Sequence, residues 1–248
     1  MQGNFTQYKH IYDITKEYPD MYKVIKYFNP LLIKSNYDIV SRNVVIKKNK
    51  NIEDNIQRSV RRTRSVIKDY VLSNDFDWFT TFTFNPKKVN RYDFNHCSLK
   101  MQSWLARTSL YARDNKINFK YLIVPEFHKD GAIHFHALLS DYPKPMKKTN
   151  VIQDNKLVYN LPSFRYGFTN AKSIKDSEDP IYGYLTKYIT KDMTMVHNRR
   201  RYWCSKNLVK PKVFHNHISE LDLLNKLNED NLEYINQYSQ IYKIPKFD

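Results

Sequence analysis

Two histidines one residue apart, His134 and His136, stand inside the apolar run Ile133 to Leu139. On a strand, residues two apart share a face. Both imidazoles then point one way, and Phe135 points the other way into a core. Two imidazoles converging from one strand suit a divalent ion. A third ligand has to come from a neighbouring strand, and Glu126 and His128 precede the turn that leads there. Register decides between the possible geometries. A strict two-residue turn at Asp130-Gly131 would oppose Phe127 to His134 and send Glu126 to the wrong face, because opposed residues of an antiparallel pair share a face. A three-residue loop, Lys129-Asp130-Gly131 with Gly131 left-handed, opposes Glu126 to His134 and Val124 to His136. The odd-length loop is the expectation, with Glu126, His134 and His136 on one face and His128 peripheral, nearer the turn. His215-Asn216-His217 has the same spacing but neither strand-like flanks nor a preceding hairpin, so it reads as loop polarity.

A second set of residues could supply a nucleophile. Asp179-Pro180 opens a helix expected over 179–192, a cap residue followed by proline at the first position. Tyr184, Lys187, Tyr188 and Lys191 fall at i, i+3, i+4 and i+7 and form one stripe. Ile181, Leu185 and Ile189 form the apolar stripe beside it. A tyrosine is a poor nucleophile while its pKa stays about 10. Lysines on its own face and a nearby metal ion favour the phenolate and offset charge on an attacked phosphate. The Tyr-x-x-Lys spacing occurs twice, and spacing does not choose between Tyr184 and Tyr188. In a chain with 20 tyrosines, the ordinary role of a helical tyrosine is packing.

Composition narrows the chemistry. The chain has 248 residues and only four glycines, none close to another. A P-loop or a dinucleotide fingerprint needs clustered glycines, so no ATPase, helicase module or nucleotide cofactor is expected. The formal charge is +16, with 15% aromatic residues, which points to a polyanion held by charge and by base stacking. Arg61 and Arg62 lie in a basic run, and Arg199, Arg200 and Arg201 lie in a basic aromatic segment. With Lys191 these are the expected DNA contacts. Cys97 and Cys204 make no disulfide framework or closed zinc site. Neither a signal peptide nor a membrane span is apparent, so a cytoplasmic protein is expected.

The elements that position these groups read as follows. A helix begins near Glu53-Asp54 and buries Ile52, Ile56, Val60, Ile67 and Val71. Trp78 to Phe84 is a buried strand ending at Asn85-Pro86. Phe94 to Asp114 is a helix with Leu99, Trp104 and Leu105 among its apolar positions. Tyr121–Val124 and Ile133–Leu139 are the hairpin strands. Residues 141–162 read as a long polar excursion, Phe164–Phe168 as a short strand, and Tyr37–Lys48 as a region that could hold one. The first 50 residues otherwise look irregular. Ser219 with Asp222 resembles a capping box for a helix carrying Leu221, Leu224, Leu227 and Leu232. The expected division is an N-terminal extension with a basic helix over 1–75, a catalytic domain over 76–210 and a helical segment over 211–248.

Three motifs appear in order: Phe82-Thr83-Phe84-Asn85-Pro86, His134-Phe135-His136, and Tyr184-Leu185-Thr186-Lys187-Tyr188. Together they resemble the three motifs of the HUH endonucleases, closest to compact rolling-circle replication initiators of bacteriophages and plasmids. The resemblance covers roughly residues 76–210. It implies an α+β fold with a central antiparallel sheet, RRM-like or ferredoxin-like, with helices on one face. It implies a Mg²⁺ or Mn²⁺ held by His134, His136 and Glu126 and single-strand cleavage at an origin. Tyr184, heading its motif, would attack first and stay joined to the 5′ phosphate, with Tyr188 second and Lys187 the supporting cation. The freed 3′ hydroxyl would prime host DNA polymerase, and the ends would later be rejoined. With no ATPase in the chain, unwinding would fall to a separate helicase of the host or the element. Transposases and mobilisation relaxases share this chemistry, but relaxases place the tyrosine before the histidines. A rival of another class is a non-catalytic RRM-like binding module, with Phe82, Phe84, Tyr166 and Phe168 as stacking platforms.

Overall fold

The computed structural model describes residues 8–34, 52–175 and 200–246. The chain divides into two compact units, one drawn from Met1–Asn49 and Lys210–Asp248 and the other from Lys50–Val209. The expected helix after residue 50 therefore belongs with the histidine-bearing unit rather than with an N-terminal extension.

The larger unit is built on a seven-stranded antiparallel sheet. Its elements are α1 (Ile52–Leu72), β3 (Trp78–Phe84), α2 (Phe94–Asp114), β4 (Lys120–Phe127), β5 (Ile133–Ser140), β6 (Lys147–Gln153), β7 (Lys156–Asn160), β8 (Gly167–Ser173) and β9 (Trp203–Cys204). The strand order is β6-β7-β8-β3-β5-β4-β9. β5 lies between β3 and β4, so the β3–α2–β4 crossover is split by an inserted strand, the ferredoxin-like device.

The periodicities behind these elements are plain. In β3 the alternation sends Phe82 and Phe84 to one face and Phe79, Thr81 and Thr83 to the other. The first face packs on α2 through Met101, Trp104 and Leu105. The second packs on α1 through Val60, Ile67 and Val71, which meet Phe79, Leu122 and Leu138. The helices therefore lie one on each face, not both on one. The reason is that each face of β3 is apolar over part of its length and must be covered. α2 starts at Phe94 because Asp93 accepts hydrogen bonds from the backbone N–H groups of Asn95 and His96. Leu99, expected in the core, is 64% exposed, whereas Cys97 and Met101 are fully buried. Cys97 and Cys204 join different clusters and remain free thiols.

Two stretches differ from expectation. The excursion over 141–162 contains the β6–β7 hairpin, closed by Asp154-Asn155 with both residues at positive φ. That is the turn conformation asparagine and aspartate tolerate. The strand expected over Phe164–Phe168 begins instead at Gly167, where the chain comes against β3. A Cβ on Gly167 would lie 1.9 Å from the Thr83 carbonyl oxygen, so only glycine fits.

The smaller unit is a five-stranded antiparallel sheet of order β10-β1-β2-β12-β11. Its strands are β1 (Tyr8–Glu17), β2 (Met21–Lys34), β10 (Lys212–His215), β11 (Leu232–Ile235) and β12 (Ser239–Pro245). The N-terminal stretch is thus a hairpin rather than irregular chain, and the expected C-terminal helix is absent. Asp222 adopts φ +53, which a helix does not permit, and only a 3₁₀ turn, Leu224–Lys226, survives there. Leu223 enters a core formed with Val24 of β2 and Tyr242 and Ile244 of β12. Among the described residues no helix is long and apolar enough to cross a membrane. The strand considered over Tyr37–Lys48 lies largely outside the described residues.

Candidate functional site

The β4–β5 hairpin closes as the sequence requires. Glu126 pairs with His134, Val124 with His136 and Phe127 with Ile133. His128 donates its backbone N–H to Ala132, and the loop of three residues has Gly131 at φ +82. The odd loop puts Glu126, His134 and His136 on one face. Phe135 enters the opposite core, against Phe84 and Trp203.

β3 supplies what the histidines rest on. Thr81 opposes His136 and Thr83 opposes His134. The Thr81 hydroxyl hydrogen-bonds His136 Nδ1 at 3.1 Å, and the Thr83 hydroxyl bonds His134 Nδ1 at 3.3 Å. A hydroxyl both donates and accepts, so each threonine can hold either tautomer of its imidazole. Both bonds leave the Nε2 atoms facing away from β3, the orientation that second-shell partners of metal-bound histidines impose. Phe79 stacks on the His136 ring at 5.6 Å. Thr83 belongs to the first motif, whereas Thr81 was not singled out by sequence. The period-2 pattern of Trp78–Phe84 contains the signal once β3 is known to pair with β5.

Glu126 Oε2 lies 2.5 Å from His136 Nε2, and the His128 ring stacks on His134 at 4.0 Å. Burial opposes ionisation of Glu126, but the bond to His136 and the surrounding imidazoles outweigh it and hold the carboxyl below its ordinary value. Burial, reinforced by the neighbouring His128 and His136, depresses His134 to about 4. His134 is therefore neutral near pH 7, as a ligand must be. As the side chains stand, no three His, Cys, Asp or Glu groups among the described residues converge to hold an ion. The Glu126 carboxylate is engaged with the nitrogen that would bind the ion. The donor set of two Nε2 atoms and one carboxylate suits a divalent ion once Glu126 turns from His136.

The remaining motif residues divide. Asn85 accepts from Lys87 N–H through its side chain and from Lys88 and Val89 N–H through its carbonyl, so Asn85-Pro86 shapes the turn leaving β3. Phe82 and Phe84 are wholly buried and cannot stack on bases. Arg61 and Arg62 are exposed on α1, and Arg200 is exposed. Arg201 instead donates to the Ser59 hydroxyl of α1 at 2.7 Å, tying the segment before β9 to the helix. Tyr184, Lys187, Tyr188, Lys191 and Arg199 lie outside the described residues, as does the helix expected over 179–192.

No curated protein and no solved structure matches the chain. Residues 77–193 match a family model that describes replication-associated proteins of the ORF2 group, a stretch that runs from the start of β3 past β8 and takes in the histidine pair and both candidate tyrosines. This match supports a part in DNA replication, and with it an interaction with DNA.

Proposed function

We propose that the protein is a replication initiator of the HUH type that cuts one DNA strand at an origin and later rejoins it. The observation that carries the reading is the row Glu126–His134–Thr83, with His136–Thr81 beside it. It sets two oriented imidazoles and an ionised carboxylate on one face of a sheet within the replication-associated match.

His134, His136 and Glu126 would hold a Mg²⁺ or Mn²⁺. Such an ion, when bound, polarises the scissile phosphate and neutralises the charge that builds on it. Thr81 and Thr83 fix the ring orientations, and Glu126 turns from His136 to join them. The tyrosine oxygen, expected from Tyr184, attacks phosphorus. The P–O3′ bond breaks, the 3′ oxygen takes a proton and leaves as a hydroxyl, and the 5′ phosphate stays on the tyrosine. Lys187 offsets phosphate charge. Attack by a 3′ hydroxyl on the phosphotyrosine reverses the chemistry and rejoins the strand, with Tyr188 available for a second transfer. Exposed Arg61, Arg62 and Arg200 serve as phosphate contacts. Unwinding is assigned to a separate helicase and extension to host polymerase.

The test incubates the purified chain with a single-stranded origin hairpin and Mn²⁺ or Mg²⁺. A covalent adduct that disappears with chelator is expected, and Tyr184→Phe removes the first adduct. Full adduct yield from Tyr184→Phe rejects Tyr184 as sole nucleophile. A chelator-insensitive reaction rejects the metal site.

A further inference from the structure

The same sheet face extends beyond the histidines. Phe168 of β8 opposes Thr83, which opposes His134, which opposes Glu126. Opposed residues of antiparallel pairs share a face. Phe168 therefore stands on the histidine face, two strands from His134, or roughly 10 Å at ordinary strand spacing. Unlike the buried aromatics of β3 and β5, Phe168 is 64% exposed.

Phe168 also borders a cavity of about 500 Å³, lined in addition by Lys88, Lys147 and Arg165. Pro162 and Arg165 are shared with a second cavity of about 700 Å³, which carries Arg107 and Lys144. The two form one trough that leaves the histidine face at Phe168 and reaches α2. No carboxylate lines either cavity. The cations are steadied by neutral partners. Lys88 Nζ donates to the Arg165 carbonyl at 3.1 Å, Arg107 lies 5.6 Å over Tyr166, and Lys144 lies 4.9 Å over Tyr111. Cations held apart from any acid, in a groove that ends at an open aromatic ring, match a chain of phosphates with an unpaired base. A duplex keeps its base faces stacked and gives the ring nothing to hold.

We propose that this trough binds single-stranded DNA outside the histidine site. One base stacks on Phe168, and the adjoining phosphates lie against Lys88, Lys147, Arg165, Lys144 and Arg107. The proposal rests on the reading that the histidine face handles a DNA strand, and it adds the route by which that strand leaves.

The test is fluorescence anisotropy of the full chain, without metal, on a labelled mixed-sequence oligonucleotide and its duplex over a range of salt. Circular dichroism verifies folding of each variant. For Lys144→Ala/Arg165→Ala, the slope of log affinity against log salt should shrink by about 1.4 on the single strand. Phe168→Ala should weaken single-strand binding by about 5- to 150-fold with that slope unchanged, and Phe168→Trp should restore it. Duplex affinity should change less than twofold with Phe168→Ala. An unchanged slope in the double variant, or a Phe168→Ala loss that is equal on duplex or not restored by tryptophan, overturns the proposal. Cleavage of an origin hairpin is assayed separately. A wild type that binds in this manner but never cuts defeats the nicking reading and leaves the trough standing.

Discussion

The chain writes His-x-His twice, and the two copies fold into opposite outcomes. His134 and His136 sit mid-strand in β5 with both flanks extended, so the two-residue period sends both rings to one face. His215 ends β10, and Asn216 turns out of the strand with φ +61. The Asn216 side chain accepts from Tyr12 N–H at 2.7 Å and donates to the His10 carbonyl at 2.8 Å, beside the irregularity between Ile11 and Asp13 of β1. His217 bonds Glu220 on the surface. In the first copy the middle residue is apolar and fixes the strand in a core. In the second it is the polar residue that fixes a bulge, and the histidines are incidental. Spacing acquires chemical meaning only from the backbone that carries it.

The largest expected effect breaks this contrast directly. His134→Ala or His136→Ala should lower metal-dependent cleavage of a single-stranded origin oligonucleotide by about a hundredfold or more. His215→Ala and His217→Ala should leave the rate within about twofold. Equal losses in both pairs would mean that the contrast drawn from β5 and β10 is wrong.

Next is the strand that seats the threonines. Gly167→Ala drives a Cβ into the Thr83 carbonyl, and the obstacle is backbone rather than a movable side chain. The expected loss is about 3 kcal/mol, read as a lower urea midpoint, with cleavage falling in proportion as Thr83 shifts. An unchanged midpoint would show that β8 can retreat from β3.

What was legible in the sequence follows from range. The helix at Phe94–Asp114, the strand at Trp78–Phe84 and the hairpin register were readable because their signals are local: a cap at Asp93, a period of two, and Gly131 in a loop of odd length. The five-stranded sheet was not, because β1 and β2 pair with β10 and β12 from the other end of the chain. Its leucines near residue 224 mimic a helix while Tyr242 and Ile244 alternate as a strand. At the site, the Glu126–His134–His136 face was legible and the Thr81 contact was not, since it needs the β3–β5 pairing. The Arg201 contact to Ser59 likewise spans 142 residues.

Thr81→Val sharpens the comparison more gently. It keeps shape and removes the hydroxyl on His136 Nδ1, and metal affinity should fall by about 10- to 100-fold by the general cost of losing such a partner. Calorimetric titration with Mn²⁺ measures it. The metal-free chain should also show the burial of the first histidine pair in its pH dependence. His134 resists protonation down to about 4, whereas the unfolded chain takes the proton near 6.5. Between those values the unfolded state binds more protons, so stability is full above the upper value and falls as pH drops through the window. His134→Gln should flatten that fall in urea midpoints measured from pH 7 to pH 5.

The smallest effect isolates what the second copy is for. Asn216→Ala removes the side-chain bonds to Tyr12 and His10 and also places a Cβ residue lacking asparagine's local stabilisation at φ +61. Asn216→Gly removes the same bonds but is at ease in that conformation. The alanine variant should therefore lose about 2 kcal/mol and the glycine variant about 1 kcal/mol, the difference being the backbone share. Urea unfolding separates the two, and neither should alter cleavage. Equal losses would place the whole effect in the hydrogen bonds, and no loss in either would leave the bulge of β1 held by its strand pairing alone.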